Sequence, residues 1–65
     1  MQIQLNGEHY SLQEGSSIAS LVTELEMGGR IAVEVNLEIV PRSEHPNVVL
    51  QPGDRVEIVR AIGGG

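Results

Sequence analysis

The chain has 65 residues, with four arginines, no lysine, nine acidic residues and no cysteine, for a formal charge of −5. That length supports one small domain, and the missing cysteine excludes disulfides, thiolate metal sites and a cysteine nucleophile. The acidic balance, with Tyr10 as the single aromatic residue, argues against nucleic acid and suits a basic partner.

No apolar run approaches the ~20 residues needed to span a bilayer, and no basic-then-apolar secretion pattern opens the chain. A cytoplasmic protein that does not engage membranes is therefore expected. The two histidines and the scattered carboxylates lack metal-ligand spacing, so no metal is expected.

Residues 1–5 alternate apolar and polar, which predicts a strand with Met1, Ile3 and Leu5 on one face. Asn6 and Gly7 both tolerate positive φ and form a strong hairpin signal. The return strand, 8–12, turns Tyr10 and Leu12 toward the same side as Ile3 and Leu5, and leaves His9 on the wet face. Gly15 breaks the strand, and Ser16 and Ser17 offer hydroxyls to cap a helix. Ile18, Leu21, Val22 and Leu25 then recur at helical spacing as one apolar stripe. Glu24 and Glu26 lie off that stripe as solvated residues, and Gly28 and Gly29 are expected to close the helix in the left-handed conformation.

A third strand is expected over 30–35, with Val33 and Val35 inward and Glu34 outward. Asn36, Leu37 and Glu38 turn the chain into the apolar pair Ile39 and Val40, which Pro41 prevents from continuing as a central strand. Residues 43–47 read as an irregular connection holding His45, and 48–50 as a short edge strand. Pro52 and Gly53 occupy the centre of a type II turn. The last strand, 55–60, puts Val56 and Ile58 on one face and Arg55, Glu57 and Val59 on the other.

One helical stripe covers one face of a sheet, so a single helix must pack across a mixed sheet of four to five strands. The first and last strands are the best neighbours for its centre. This is an α+β chain in the β-grasp, or ubiquitin-like, arrangement. It divides into a domain over 1–60 and a flexible glycine tail over 61–65, expected to order on binding.

No catalytic set is present: no serine–histidine–aspartate combination, no carboxylate pair with a plausible cleft, and no phosphate loop, because no helix follows Gly63, Gly64 and Gly65. Three terminal glycines alone fit a frayed end. They also fit a thread without Cβ atoms, able to enter a narrow channel in another protein. The carboxylate of Gly65 becomes reactive once its attack on the α-phosphate of ATP turns it into an acyl-adenylate with a good leaving group. From Ala61 onward an extended tail reaches about 16 Å, enough to place Gly65 inside a partner. Val59, Arg60, Ala61 and Ile62 feed the thread and are the expected partner contacts.

Asn36-x-Glu38-Ile39-Val40-Pro41-Arg42, Pro52-Gly53-Asp54 and the ending Ala61-Ile62-Gly63-Gly64-Gly65, in a chain of this size, resemble the ThiS family of sulfur carriers in thiamine thiazole synthesis. The resemblance covers essentially the whole chain. The closing glycine pair alone is shared with ubiquitin and with MoaD, the small subunit of molybdopterin synthase. The resemblance implies adenylation and thiocarboxylation at Gly65, with Gly63 and Gly64 as the thread. It implies a protein co-substrate rather than an enzyme, with no cofactor of its own and ATP bound by the activating partner. The implied partners are an adenylating enzyme of the ThiF type, a sulfur donor protein and thiazole synthase. Two positions depart from the pattern: a third glycine, and Leu37 at a turn position where relatives commonly have glycine. Sulfur transfer for molybdopterin or another pathway, a lysine-joining modifier, and a ubiquitin-like interaction module remain the alternatives.

Overall fold

A computed structural model of the chain describes residues 1–60. The N-terminal alternation folds into β1 (Gln2–Leu5) and β2 (Glu8–Ser11), an antiparallel pair in which Ile3 faces Tyr10 and Gln4 faces His9. Asn6 and Gly7 take φ of 50° and 85° at the turn, the left-handed conformation that this pair adopts with little strain. His9 is exposed, and Leu12 is buried just past the strand.

The helix α1 spans Ile18–Glu24 and begins at a reciprocal cap. Ser20 N–H donates to Ser17 Oγ at 3.1 Å, and Ser17 N–H donates to Ser20 Oγ at 2.9 Å, so two amide donors at the helix start gain partners. Ile18 and Leu21 of the predicted stripe are fully buried, while Val22 and Leu25 pack half-buried at the margin.

The helix ends earlier than its glycines. Glu26, not Gly28 or Gly29, takes the left-handed position that closes it, at φ 56°. Glu26 N–H donates to the Thr23 carbonyl at 3.1 Å and Met27 N–H to the Val22 carbonyl at 3.2 Å, the paired bonds of a Schellman closure. Met27 and Val22 both pack against the core, which supplies the apolar contact that accompanies such a closure and fixes its place in spite of the residue type.

The strands β3 (Ile31–Val35) and β4 (Glu38–Val40) form an antiparallel hairpin across Asn36 and Leu37, whose φ of 52° and 71° make a tight left-handed turn. Leu37 thus keeps the backbone that a glycine would adopt more readily. The expected edge strand at 48–50 is not in the sheet: Val49 forms only an isolated bridge to Ser17. Ile18 N–H donates to the Val48 carbonyl and Leu50 N–H to the Ser16 carbonyl, at 3.0 and 2.8 Å, because burying Leu50 draws this segment onto the helix start. The sheet edge is filled by β4, which ends, as expected, at Pro41. Residues 43–47 are also more ordered than an irregular connection, since Arg42–Glu44 form a 3-10 turn.

Pro52 and Gly53 make the predicted turn, with Gly53 at φ 85° and Asp54 N–H donating to the Gln51 carbonyl at 3.1 Å. It leads into β5 (Arg55–Arg60), and the sheet order is β2-β1-β5-β3-β4. β1 and β5 are parallel neighbours at the centre, and β5 and β3 are antiparallel. α1 supplies Ile18 and Leu21 to a core with Ile3, Leu12, Val33, Leu50, Val56 and Ile58. This is the β-grasp arrangement.

Candidate functional site

The strand that leads to the C-terminal residues, β5, is held on both sides within the sheet. Val56 and Ile58 are buried, and every residue from Val56 to Arg60 has a partner on β3. Two asparagines secure β5 further. At its start Asn36 N–H donates to the Arg55 carbonyl at 2.7 Å, Arg55 N–H donates to Asn36 Oδ1 at 3.0 Å, and Asn36 Nδ2 donates to Asp54 Oδ1 at 3.1 Å.

In the middle of β5, Asn6 replaces the neighbour strand that has just turned away. The β1 ladder ends at Leu5 opposite Val56, and Asn6 N–H still donates to the Val56 carbonyl at 2.9 Å. Its side chain then takes over: Ile58 N–H donates to Asn6 Oδ1 at 2.8 Å, and Asn6 Nδ2 donates to the Ile58 carbonyl at 3.3 Å. An amide side chain has the donor and acceptor of a peptide group, so the ladder runs two residues further along β5 than β1 itself.

Of the predicted contact residues, Val59 and Arg60 lie within the described structure, and both are exposed. Val59 is 60% exposed on the face of the sheet away from α1, opposite Ala32, and Arg60 ends the strand opposite Ile31. A valine on the open face at this exposure does not serve the core. Ala61, Ile62, Gly63, Gly64 and Gly65 lie outside the described residues, and so do the expected domain-and-tail division and the reactive terminus.

The other singled-out side chains have structural employment. His45, unremarkable in sequence, is buried at 6% exposure. Its Nε2 lies 3.2 Å from the Val40 carbonyl, and its own carbonyl accepts Ala19 N–H at 3.1 Å, joining the end of β4 to α1. Arg42 donates from Nη1 to the Gly29 carbonyl at 3.2 Å, tying the 3-10 turn to the loop before β3. Tyr10 donates its hydroxyl to Glu24, tying β2 to α1. That hydrogen bond to a carboxylate, helped by partial desolvation and the nearby charge, raises the Tyr10 pKa above its ordinary value. Among the described residues no group of three or more histidine, aspartate or glutamate side chains is placed to hold a metal ion, and no helix is long and apolar enough to cross a membrane.

Comparison with known proteins places this geometry. A family model described as the ThiS family matches residues 3–65. The "Thiazole synthase" of Paramagnetospirillum magneticum is 42% identical over 66 residues, covering 100% of this chain and 20% of that protein. The chain thus spans about one fifth of the length of that relative. "Sulfur carrier protein ThiS" of Escherichia coli is 29% identical, with 100% of both chains covered. The crystal structure of a thiamine biosynthesis protein (ThiS) from Geobacter metallireducens superposes with a TM-score of 0.87 at 26% identity, covering 100% of both chains.

Proposed function

Since the chain belongs to the ThiS family of small sulfur carriers, we propose that it is a protein co-substrate that carries sulfur on its C-terminal glycine for thiazole formation in thiamine biosynthesis. The observation that carries the reading is the end-to-end match, in which the family model extends through Gly65 and the E. coli carrier aligns over its full length. The geometry agrees with it: β5 is paired on both sides, and Val59 and Arg60 at its end are exposed.

In this role the Gly65 carboxylate attacks the α-phosphate of ATP bound by an adenylating enzyme of the ThiF type, and pyrophosphate departs. A sulfide equivalent from a sulfur donor protein then attacks the acyl-adenylate carbon and displaces AMP, leaving a thiocarboxylate. Gly63 and Gly64 form the thread that reaches the partner's site, and Val59, Arg60, Ala61 and Ile62 contact its mouth. Thiazole synthase receives the sulfur. That assignment is supported by the relatives bearing that name, whose chains include a region similar to this one. This chain binds no cofactor of its own, and ATP belongs to the activating partner.

Intact-mass measurement with the adenylating enzyme, ATP and a sulfide source tests the proposal. One oxygen should be exchanged for one sulfur, and deleting Gly65 should abolish the gain while leaving the circular dichroism spectrum unchanged. A gain that persists after Gly64 and Gly65 are both removed would refute the assignment.

A further inference from the structure

Asn6 carries a reactivity that its hold on β5 keeps in check. A side-chain amide is lost most easily when the backbone nitrogen of the next residue can attack the asparagine Cγ, and a glycine there has no Cβ to obstruct the approach. Of the three asparagines only Asn6 has glycine after it; Asn36 precedes Leu37, and Asn47 precedes the β-branched Val48. Asn6 and Gly7 are both exposed. The space where a Cβ on Gly7 would stand holds no atom within 4 Å, and the Gly7 N–H has no partner among the described residues. The attacking nitrogen is free and open to water.

The carboxamide is not free. Its Oδ1 accepts the Ile58 N–H at 2.8 Å, and its Nδ2 donates to the Ile58 carbonyl at 3.3 Å. Both bonds hold the side chain toward β5, and both must break before Cγ can turn onto the Gly7 nitrogen. That nitrogen then loses its proton and bonds to Asn6 Cγ, and the amide nitrogen leaves as ammonia. Water opens the resulting cyclic imide at either carbonyl and leaves aspartate or isoaspartate. Neither product restores the clamp. A carboxylate has acceptors and no donor, so aspartate sets an oxygen against the Ile58 carbonyl. Isoaspartate routes the main chain through Cβ and lengthens a hairpin turn whose register depends on its size.

We propose that Asn6 is a deamidation site guarded by its own hydrogen bonds: the amide survives while the clamp is closed, is lost when β5 opens at Ile58, and in going makes that opening permanent. The inference goes beyond the carrier reading and is independent of it, since no step involves Gly65. It places a cumulative, irreversible chemical mark beside the strand that leads to the C-terminal residues.

The test follows the full chain during incubation at mildly alkaline pH, in native buffer and in strong urea. Cleavage after arginine separates Asn6, in 1–30, from Asn36, in 31–42, and Asn47, in 43–55, so mass spectrometry of the peptides locates each exchange of an amide NH2 for OH. Enzymatic methyl transfer to isoaspartate identifies the rearranged product. In urea Asn6 should convert at least about tenfold faster than Asn36 and Asn47. In native buffer its rate should fall by at least about tenfold, in proportion to the open fraction that hydrogen exchange of the Ile58 N–H reports. Asn6→Asp gives up one of the two bonds and should melt about 4–8 °C below the parent. Conversion of Asn36 or Asn47 as fast as Asn6 in urea overturns the site. A native rate equal to the urea rate, or one that departs from the Ile58 open fraction by more than about threefold, overturns the guard, and that readout needs no variant. An Asn6→Asp protein that melts with the parent overturns the permanence of the opening.

Discussion

Asn6 offers the sharpest test of how this fold steadies its last strand. Its side chain makes two hydrogen bonds to the backbone of Ile58, 52 positions away in sequence, from a residue whose own φ is 50°. Asn6→Gly keeps that backbone accessible and removes both bonds. At a net 0.5–1.5 kcal/mol each, the loss is about 2 kcal/mol. Asn6→Ala removes the same bonds and also gives up asparagine's tolerance of the left-handed region, which costs roughly 1 kcal/mol more for alanine, for a total near 3 kcal/mol. In a domain of this size 1 kcal/mol moves the midpoint by about 4–8 °C, so Asn6→Gly should melt about 8–16 °C below the parent and Asn6→Ala lower still. Thermal unfolding followed by circular dichroism gives these values. Amide exchange adds a local readout: the Ile58 N–H should lose protection in native conditions beyond the change at Val33, which lies on β3, on the side of β5 away from Asn6, paired with Ile58 and Val40. If Asn6→Gly melts with the parent and Ile58 exchange is unchanged, the side chain does not extend the ladder and the reasoning fails.

Glu26→Gly and Leu37→Gly should each raise stability by roughly 0.5–1 kcal/mol, because both positions hold a non-glycine residue at positive φ, 56° and 71°, without a clear side-chain return; urea midpoints for the two and for their combination test this, and a loss at either site contradicts the strain assigned there. Tyr10 has a raised pKa in the folded state, so its contribution is fully present below its unfolded value of about 10 and is lost as pH rises through the higher folded value. Unfolding midpoints between mildly and strongly alkaline pH should fall more steeply for the parent than for Tyr10→Phe. The chain is suited to the measurement because it has no lysine, no cysteine and one tyrosine; parallel slopes would show that the hydroxyl bond to Glu24 is not linked to folding.

The parts of the fold legible in sequence are those written as periodicity. Ile3, Leu12, Ile18, Leu21, Val33, Val56 and Ile58 all follow from period-two or helical spacing, and all are in the core. Short pieces without a period were not legible. Ile39 with Val40 and Val48 to Leu50 look equally strand-like, and only the pull of a buried Leu50 onto the helix start decides which one joins the sheet. Glycine misled at the helix end, where packing of Met27 on the core set the closing residue at Glu26 instead. Asn6 and Asn36 were legible as turn residues but not as clamps on β5, since their partners are remote in sequence. Val59 was identifiable as an apolar residue on a polar face. Its alignment with Ala32, and that of Glu57 with Glu34, depends on register between strands joined by a long connection, which alternation within one strand does not fix.

The proposed carrier role implies a division of labour between globule and terminus that follows from the same physics. Gly63, Gly64 and Gly65 bring no side-chain area into a channel, and fixing the backbone of each residue costs about 1–2 kcal/mol, at the high end of the range for glycine. A thread suited to a narrow channel is thus a poor source of affinity, and lengthening it with more glycine deepens the deficit. Binding energy has to come from a surface that is already ordered when the partner arrives. β5 meets that requirement: it is paired along its length with β3, joined to β1 at its start, and carried past the end of β1 by Asn6, so Val59 and its neighbours are presented without further ordering. In the proposed carrier role, a rigid strand leading through Ala61 and Ile62 to a side-chain-free end separates recognition from reaction: the globule would hold the partner, and the glycines would only have to pass.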